Sequence, residues 1–434
     1  MWICVTGSPI APGDIPIKLS NGTEVVARSA DWRAVTAGGV LTPAESRTFA
    51  QVVHFSNLPA RTHFAAKANE AEAGFVTLPA ALPRVGDRPF TVLLGSCYFG
   101  DRDRGLSTTM QALSHEVKID MKLMSGDQVY LDFPSFVFGV PFSEKGKASL
   151  FLAKYLRNWS ESGRYRSVLQ EGATYFTADD HEFWNNYPNP ATIISPTWSQ
   201  GGRDEFRRTA RPLFDAFQTD PAQGVQICRR VNVGNLSFMI ADTRLEREEG
   251  DTAFMSRDHL DEVVGWLGES GAGVLVVGQP IFADPQTGFL GGLTKRFADR
   301  NLPDYEQYRT LSNALLRANR SVLILTGDVH YPRVAEAVRL GETGREIIEV
   351  IASPAALVAG SHSSTKDVPA RFPAKPGAGK SLPLTTVKAS RRAGDNLAVL
   401  EFTETPGRIN VQLKYWFVGP TPAPGPIINF SLTT

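Results

Sequence analysis

Two short apolar runs in this chain each stop at a Gly-Asp pair with a ring-bearing side chain close behind. Met121 to Met124 leads into Gly126-Asp-Gln-Val-Tyr130, and Ser321-Val-Leu-Ile-Leu-Thr326 leads into Gly327-Asp-Val-His330. Short apolar runs bounded by glycine read as buried strands. Open α/β sheets place their chemistry where such strands give way to loops. Between the two runs, Ala173 to Phe176 precedes Ala178-Asp-Asp-His-Glu182, and before them Thr91-Val-Leu-Leu-Gly-Ser96 is closed by Cys97. Four strand ends therefore offer thiol, carboxylate, phenol and imidazole groups in order, a donor set that points to metal.

The same alternation organises the chain from residue 90 onward. Leu106 to Ile119, His259 to Leu267 and Tyr305 to Ala318 have helical spacing, while Leu236 to Asp242 and Gly273 to Gly278 read as strands. Strand and helix in turn predict an α/β sheet. Val334 to Leu340, Glu346 to Ile351, Leu397 to Thr403 and Ile409 to Phe417 read as antiparallel strands that finish the same domain. Upstream, Glu24 to Arg28, Gln51 to Phe55, His63 to Lys67 and Gly74 to Leu78 are β-like runs separated by Gly, Asn and Pro. They predict a small β-sandwich over residues 1–88, with a loose set of edge strands capping the main domain as the alternative, followed by a catalytic domain over 89–434. Two stretches break the pattern. Residues 183–230 form an insertion bearing Trp184, Tyr187 and Trp198, with an amphipathic helix near Phe206 to Phe217. Residues 357–395 carry Lys366, Arg371, Lys375, Lys380, Lys388, Arg391 and Arg392 among Gly, Ser and Pro, and read as a long basic loop, either a lid that attracts phosphate or a solvated linker.

Composition removes several classes of function. The 45 basic side chains are matched by 45 acidic ones, so nothing here marks a nucleic-acid partner. No apolar run approaches the roughly 20 residues of a membrane span. Cys4, Cys97 and Cys228 are too few and too scattered for a disulfide framework. The N-terminus lacks the basic and long apolar regions of a secretory signal. The expectation is a cytoplasmic protein, or an exported one whose signal has been removed; the oligomeric state is not legible. Ala374-Lys-Pro-Gly-Ala-Gly-Lys-Ser381 imitates a phosphate-binding loop, but neither a strand before it nor a helix after it is readable. No Gly-x-Ser-x-Gly elbow of a serine hydrolase is present.

Hydrolysis of a phosphate ester near neutral pH needs a deprotonated water and a sink for charge on the phosphoryl oxygens. Two metals about 3.5–4 Å apart, sharing a carboxylate, supply both. Asp127 suits the bridge because Gly126 allows a tight turn at the strand end. Asp328 and His330 alternate along an extended segment and would aim at one side of the sheet.

These blocks resemble the calcineurin-like metallophosphoesterases, and specifically the alkaline phosphatase D-like (PhoD-like) branch. Gly126-Asp127 is similar to the superfamily's second block. Asp180-His181-Glu182 resembles its Gly-Asn-His-Glu block with Asp for Asn, and Gly327-Asp-Val-His330 its closing Gly-His-x-His block. Ser96-Cys97 is similar to the branch's opening Ser-Cys, and Asp242-Thr-Arg244, Gln279 and Glu349 to Pro354 also fit. The resemblance implies a four-layer α/β/β/α sandwich preceded by the small all-β domain. It implies hydrolysis of small phosphate mono- or diesters by a binuclear metal-hydroxide mechanism. Cys97, Asp127, Tyr130 and Asp328 would hold a first ion, ferric iron by its thiolate and phenolate. Asp180, Asp127 and His330 would hold a second, calcium in this branch. His181 would serve the leaving group, and Arg244 is a candidate for phosphate contact, with a structural ion pair to Asp242 as its alternative. Phe99 stands where some members carry a carboxylate, which Asp101 or Asp103 would replace, and Gln279 stands near a metal-binding His of the superfamily. Two further readings stay open: a phospholipase-like diesterase whose aromatic insertion grips the alcohol, or a silent binding protein whose metal site is degenerate at Phe99.

Overall fold

The computed structural model describes residues 1–133, 143–170, 172–220, 224–285, 300–337, 345–357, 368–373, 381–388 and 394–434. Its first strands are β1 Trp2–Thr6, β2 Ile15–Leu19, β3 Glu24–Ala27, β4 Arg33–Ala34, β5 Thr48–Val52, β6 His63–Ala68 and β7 Ala71–Val76. They form two small antiparallel sheets, ordered β1-β5-β4 and β3-β2-β6-β7, around Ile17, Leu19, Trp32, Phe49 and Phe64. Val35, Ala37, Leu41 and Ala50 pack instead into the helical layer of the rest of the chain. Trp2 reinforces that contact, donating its indole N–H to Ala216 O at 2.8 Å.

The larger part is built on β8 Phe90–Gly95, β9 Met121–Ser125 and β10 Ala173–Thr177. There follow β11 Cys228–Val233, β12 Leu236–Ala241, β13 Gly271–Val276, β14 Arg320–Thr326, β15 Arg333–Ala337, β16 Ile347–Ile351, β17 Arg371–Phe372 and β18 Leu382–Lys388. The last strands are β19 Asn396–Thr405, β20 Arg408–Phe417, β21 Ala423–Pro424 and β22 Ile428–Thr433. One sheet runs β10-β9-β8-β19-β20-β21 with β22 beside β20, and the other β11-β12-β13-β14-β16-β15-β18-β17. β8, β9 and β10 are mutually parallel, as are β12, β13, β14 and β16. Strands buried on both faces need continuous apolar runs, and every residue of β8 and β14 is buried.

Alternation of side chains along these strands builds the layers. Val92 and Leu94 of β8 meet Leu323 and Leu325 of β14 in the core between the sheets. Leu93 turns outward to the helices Leu106–Glu116, Glu144–Ser160 and Gln200–Gln218, and Val322 and Ile324 turn to Arg257–Gly268 and Tyr308–Leu316. The order is α/β/β/α, as expected. Among the described residues no helix is long and apolar enough to cross a membrane.

Two expectations need correction. The tail is not one antiparallel set: β16 lies parallel to β14, and β19 and β20 cross to the other sheet. The reason is the composition of β16, Ile-Ile-Glu-Val-Ile, which is buried throughout and fits an interior parallel position. Nor is 357–395 wholly a loop, because β17 and β18 extend the sheet from the otherwise open edge of β15. Lys366, Lys375, Lys380, Arg391 and Arg392, and with them the phosphate-loop-like stretch 374–380, lie outside the described residues.

Candidate metal centre

The parallel strands β8, β9, β10 and β14 end side by side, and each delivers part of one cluster. Cys97, Asp127, Asp328 and His330 all adopt φ between 57° and 66°. That left-handed region is uncommon for residues other than glycine and costs of order 1–3 kcal/mol each. Tertiary bonds hold the turns: Cys97 N donates to Gly126 O at 3.1 Å, and Tyr98 N to Asp127 O at 2.7 Å. The buried Glu182 carboxylate accepts from the backbone N of Asp127 (2.9 Å), Gln128 (2.6 Å) and Asp179 (2.9 Å), tying the loops after β9 and β10 together. Gly126 sits at φ 90°, and a Cβ there would come within 2.5 Å of Asp179 Cβ. Gly126→Ala is therefore expected to cost about 1–3 kcal/mol and to lower metal uptake, read from urea midpoints and elemental analysis.

Three groups bring ligand-type atoms within 4.8 Å of one another: Cys97, Asp127 and His330; Asp127, Asp180 and His181; and Asp179, Asp180 and Asp328. Tyr130 joins the first, its hydroxyl 3.5 Å from Asp127 Oδ2, as is Cys97 Sγ. Seven of the sequence-named residues thus converge, and Asp328 also bears on the Cys97 thiol and Asp180 on the His330 ring. His330 falls beside Cys97, and Asp328 beside Asp179 and Asp180.

The electrostatics of the cluster call for cations. Burial, reinforced by Asp127 and Asp328, holds the Cys97 thiol well above its usual range. Burial, with the charges of Cys97 and Asp127, does the same to Tyr130. Burial also raises Asp127, with His181 opposing and Asp180 and Asp179 adding to the rise. Desolvation and the nearby His181 push His330 down to about 4. Both ring nitrogens of His330 are buried without a hydrogen-bond partner among the described residues. A neutral, unpartnered imidazole beside thiol, phenol and crowded carboxylates fits a metal ion, whose charge reverses each of these penalties.

His181 is held from behind. Its Nδ1 lies 2.7 Å from Asp132 Oδ1, its ring stacks on Tyr130 with centroids 4.1 Å apart, and its backbone N donates to Asp127 Oδ1 at 3.1 Å. Asp132 is fully buried and also accepts from Asn185 N at 2.7 Å. Lys154 fixes the connecting loop by donating to Tyr130 O at 2.7 Å, Leu131 O at 2.9 Å and Phe133 O. Sequence reasoning missed Asp132 and Lys154, and it marked Glu349 to Pro354 without the partner of Ser353, whose hydroxyl donates to Cys97 Sγ at 3.3 Å. Asp132 lies in a loop without periodicity and Ser353 is 256 residues from Cys97, so no spacing signal exists for either.

Arg244 does not reach outward. Its guanidinium, 1% exposed, pairs with Asp179 and donates to Tyr187 O at 2.7 Å. Asp242 is not its ion-pair partner: that carboxylate accepts from the backbone N of Ala178, Arg244 and Leu245. Asp101 and Asp103 do not replace the carboxylate missing at Phe99. Asp101 pairs with Arg157, and Asp103 accepts from Tyr98 Oη and caps the helix at Leu106. Both lie beyond the turn, where the chain has already left the strand end. Gln279 donates to Asp328 Oδ2 at 3.1 Å and accepts from Arg247 at 2.9 Å, so it orients a carboxylate where a ligand was sought.

A layered α/β/β/α sandwich with this donor set at its parallel strand ends has the form of a metal-dependent phosphoester hydrolase. The family model of the PhoD-like phosphatases matches residues 90–385, and the chain belongs to that family. No curated protein matches it. Among solved structures, a single mutant of Vps29 from Entamoeba histolytica aligns at 8% identity over 79% of this chain and 99% of its own, with a TM-score of 0.30. TT1561 of Thermus thermophilus aligns at 10% identity over 61% of this chain and 90% of its own, with a TM-score of 0.28. Likeness at that level carries no argument, and the layer order rests on the sheets described above.

Proposed function

We propose that the chain hydrolyses small phosphate mono- or diesters at a binuclear centre bridged by Asp127. The convergence of Cys97, Asp127, Tyr130, Asp180, His181, Asp328 and His330 carries this reading, because Asp127 and Asp180 each belong to two of the three ligand groups. Cys97, Tyr130, His330 and Asp127 would hold a ferric ion, which thiolate and phenolate suit. Asp127, Asp180 and Asp328 would hold an oxygen-preferring divalent ion such as calcium. Bound ions supply a deprotonated water and a sink for charge on the phosphoryl oxygens. The protein's part is then positional and acid–base. Asp132 keeps the His181 ring oriented and cationic, so that Nε2 can give its proton to the departing alcohol. Arg244 enters as the counter-charge that keeps Asp179 in place.

Of the three aromatics that mark the insertion, Trp184 and Tyr187 are 0% and 3% exposed and belong to the helical core, which leaves Trp198, 49% exposed, as the one that could grip a larger alcohol. The silent-binder alternative predicts loss of metal through Phe99, yet the remaining donors stay assembled. Elemental analysis of the purified protein, with turnover of p-nitrophenyl phosphate and bis-p-nitrophenyl phosphate, tests the proposal. Iron with a divalent partner, and release of nitrophenol from either ester, is the expected result. A protein that takes up neither iron nor calcium and hydrolyses neither ester would sink it.

A further inference from the structure

Three aromatic side chains outside the insertion border the cluster. Phe99 lies 5.5 Å, centroid to centroid, from both Tyr130 and Phe133, and Tyr130 lies 5.8 Å from Phe133. With Leu357 behind them, these rings form an apolar cluster that includes Cys97 itself. Tyr130 is buried, whereas Phe99 and Phe133 are only half-buried and keep part of their surface open.

The orientation of His181 decides what this patch would face. Asp132 occupies its Nδ1, so only Nε2 is left to meet a leaving oxygen. Whatever alcohol is attached to that oxygen must then lie alongside the imidazole. The neighbours of the imidazole are the Tyr130 ring, stacked at 4.1 Å, and the Phe133 ring, edge-on at 5.5 Å and 66°. Lys154 pins the carbonyls of Tyr130 and Phe133, so the rings are preorganised rather than adaptable.

We propose that Phe99, Tyr130 and Phe133 form the subsite for the alcohol half of the ester, and that the enzyme prefers phosphate esters of aromatic alcohols to those of small alkyl alcohols. This rests on the hydrolytic reading above and adds a substrate class to it. A flat ring gains offset-stacked or edge-to-face contacts that a methyl group cannot make.

The test compares kcat/KM for phenyl phosphate and methyl phosphate in the metal-loaded wild type, Phe99→Ala, Phe99→Leu and Phe133→Ala, and calorimetric binding of phenylphosphonate against methylphosphonate. The alanine variants are expected to lose about tenfold on the phenyl ester, chiefly through KM, and to stay within about twofold on the methyl ester, as expected for loss of uniform binding. Phe99→Leu keeps an apolar side chain and guards against misfolding; it should lose part of the phenyl preference with methyl turnover intact. Equal losses on both esters, or none on either, would overturn the subsite. If the wild type hydrolyses neither ester, the hydrolytic reading fails, and the phosphonates then judge the subsite alone. A phenyl preference that disappears in Phe99→Ala supports it, and the absence of any preference overturns it.

Discussion

Asp127→Asn is expected to abolish turnover and metal retention together while leaving the metal-free protein as stable as the wild type, or slightly more so. The Asp127 carboxylate faces both the Cys97 and Tyr130 side and the His181 side of the cluster. Oδ2 lies 3.5 Å from Cys97 Sγ and from Tyr130 Oη, and Oδ1 accepts from the backbone N of His181. An amide turns an N–H₂ toward one of those sides and removes the charge that would bridge two cations. Metal-assisted charge stabilisation is worth several kcal/mol, and at about 1.4 kcal/mol per tenfold kcat/KM should fall by about a thousandfold or more. The fold should survive, because Asn tolerates the left-handed backbone nearly as well as Asp and Glu182 still holds the residue's N–H. Without metal, the wild-type carboxylate is driven toward its protonated form by burial and by Asp180 and Asp179, so its loss relieves an existing penalty. The signature is a Tm that no longer rises when iron and calcium are added, since ligand-linked stabilisation needs a ligand that binds the native state. A variant that keeps its iron and its turnover would remove Asp127 from the bridge.

Those same strand ends show what the sequence carried and what it could not. Cys97, Asp127, Asp180 and Asp328 were legible because parallel strands buried on both faces write themselves as apolar runs, and because the chemistry follows their carboxyl ends. The left-handed turns that carry Cys97, Asp127 and Asp328 were not. The alternation rule aimed Asp328 and His330 at one side of the sheet by assuming an extended chain. At φ 66° and 57° the backbone is not extended there, and Val329 N donates back to Gly327 O at 2.9 Å. The turn sends Asp328 toward Asp179 and Asp180 while His330 goes to Cys97. The pairing of Arg244 was illegible for another reason: its partner Asp179 is 65 residues earlier, and a charge read alone does not say whether it faces substrate or a buried carboxylate. The aromatic residues of the insertion were equally ambiguous. Composition marked Trp184, Tyr187 and Trp198, but only packing separates the two core rings from the exposed Trp198, and Phe99 and Phe133, which do border the cluster, lie outside the insertion.

His181→Ala and Asp132→Asn should separate proton delivery from metal binding. If His181 donates to the leaving oxygen, its removal lowers kcat by about a hundredfold to ten-thousandfold with iron and calcium content unchanged. The loss should be largest for phenyl phosphate and smallest for dinitrophenyl phosphate, whose leaving group needs no proton. His181 also lies within ligand distance of Asp127 and Asp180, so the opposite result has a physical basis: loss of a metal together with equal rate losses on both esters would make it a ligand instead. Asp132→Asn adds a pH signature. Although burial lowers it, the His181 pKa of the metal-free protein stands well above the usual histidine range because Asp132, Asp180 and Asp127 favour the imidazolium, and of these only Asp132 keeps its full charge once the proposed ions are bound. A group that must be protonated to act loses activity as pH rises through its pKa. Removing the Asp132 charge lowers that pKa, so the alkaline limb of the kcat profile should move to lower pH in the variant. An unmoved limb, with kcat reduced evenly at every pH, would mean that Asp132 merely supports the loop and that another group delivers the proton.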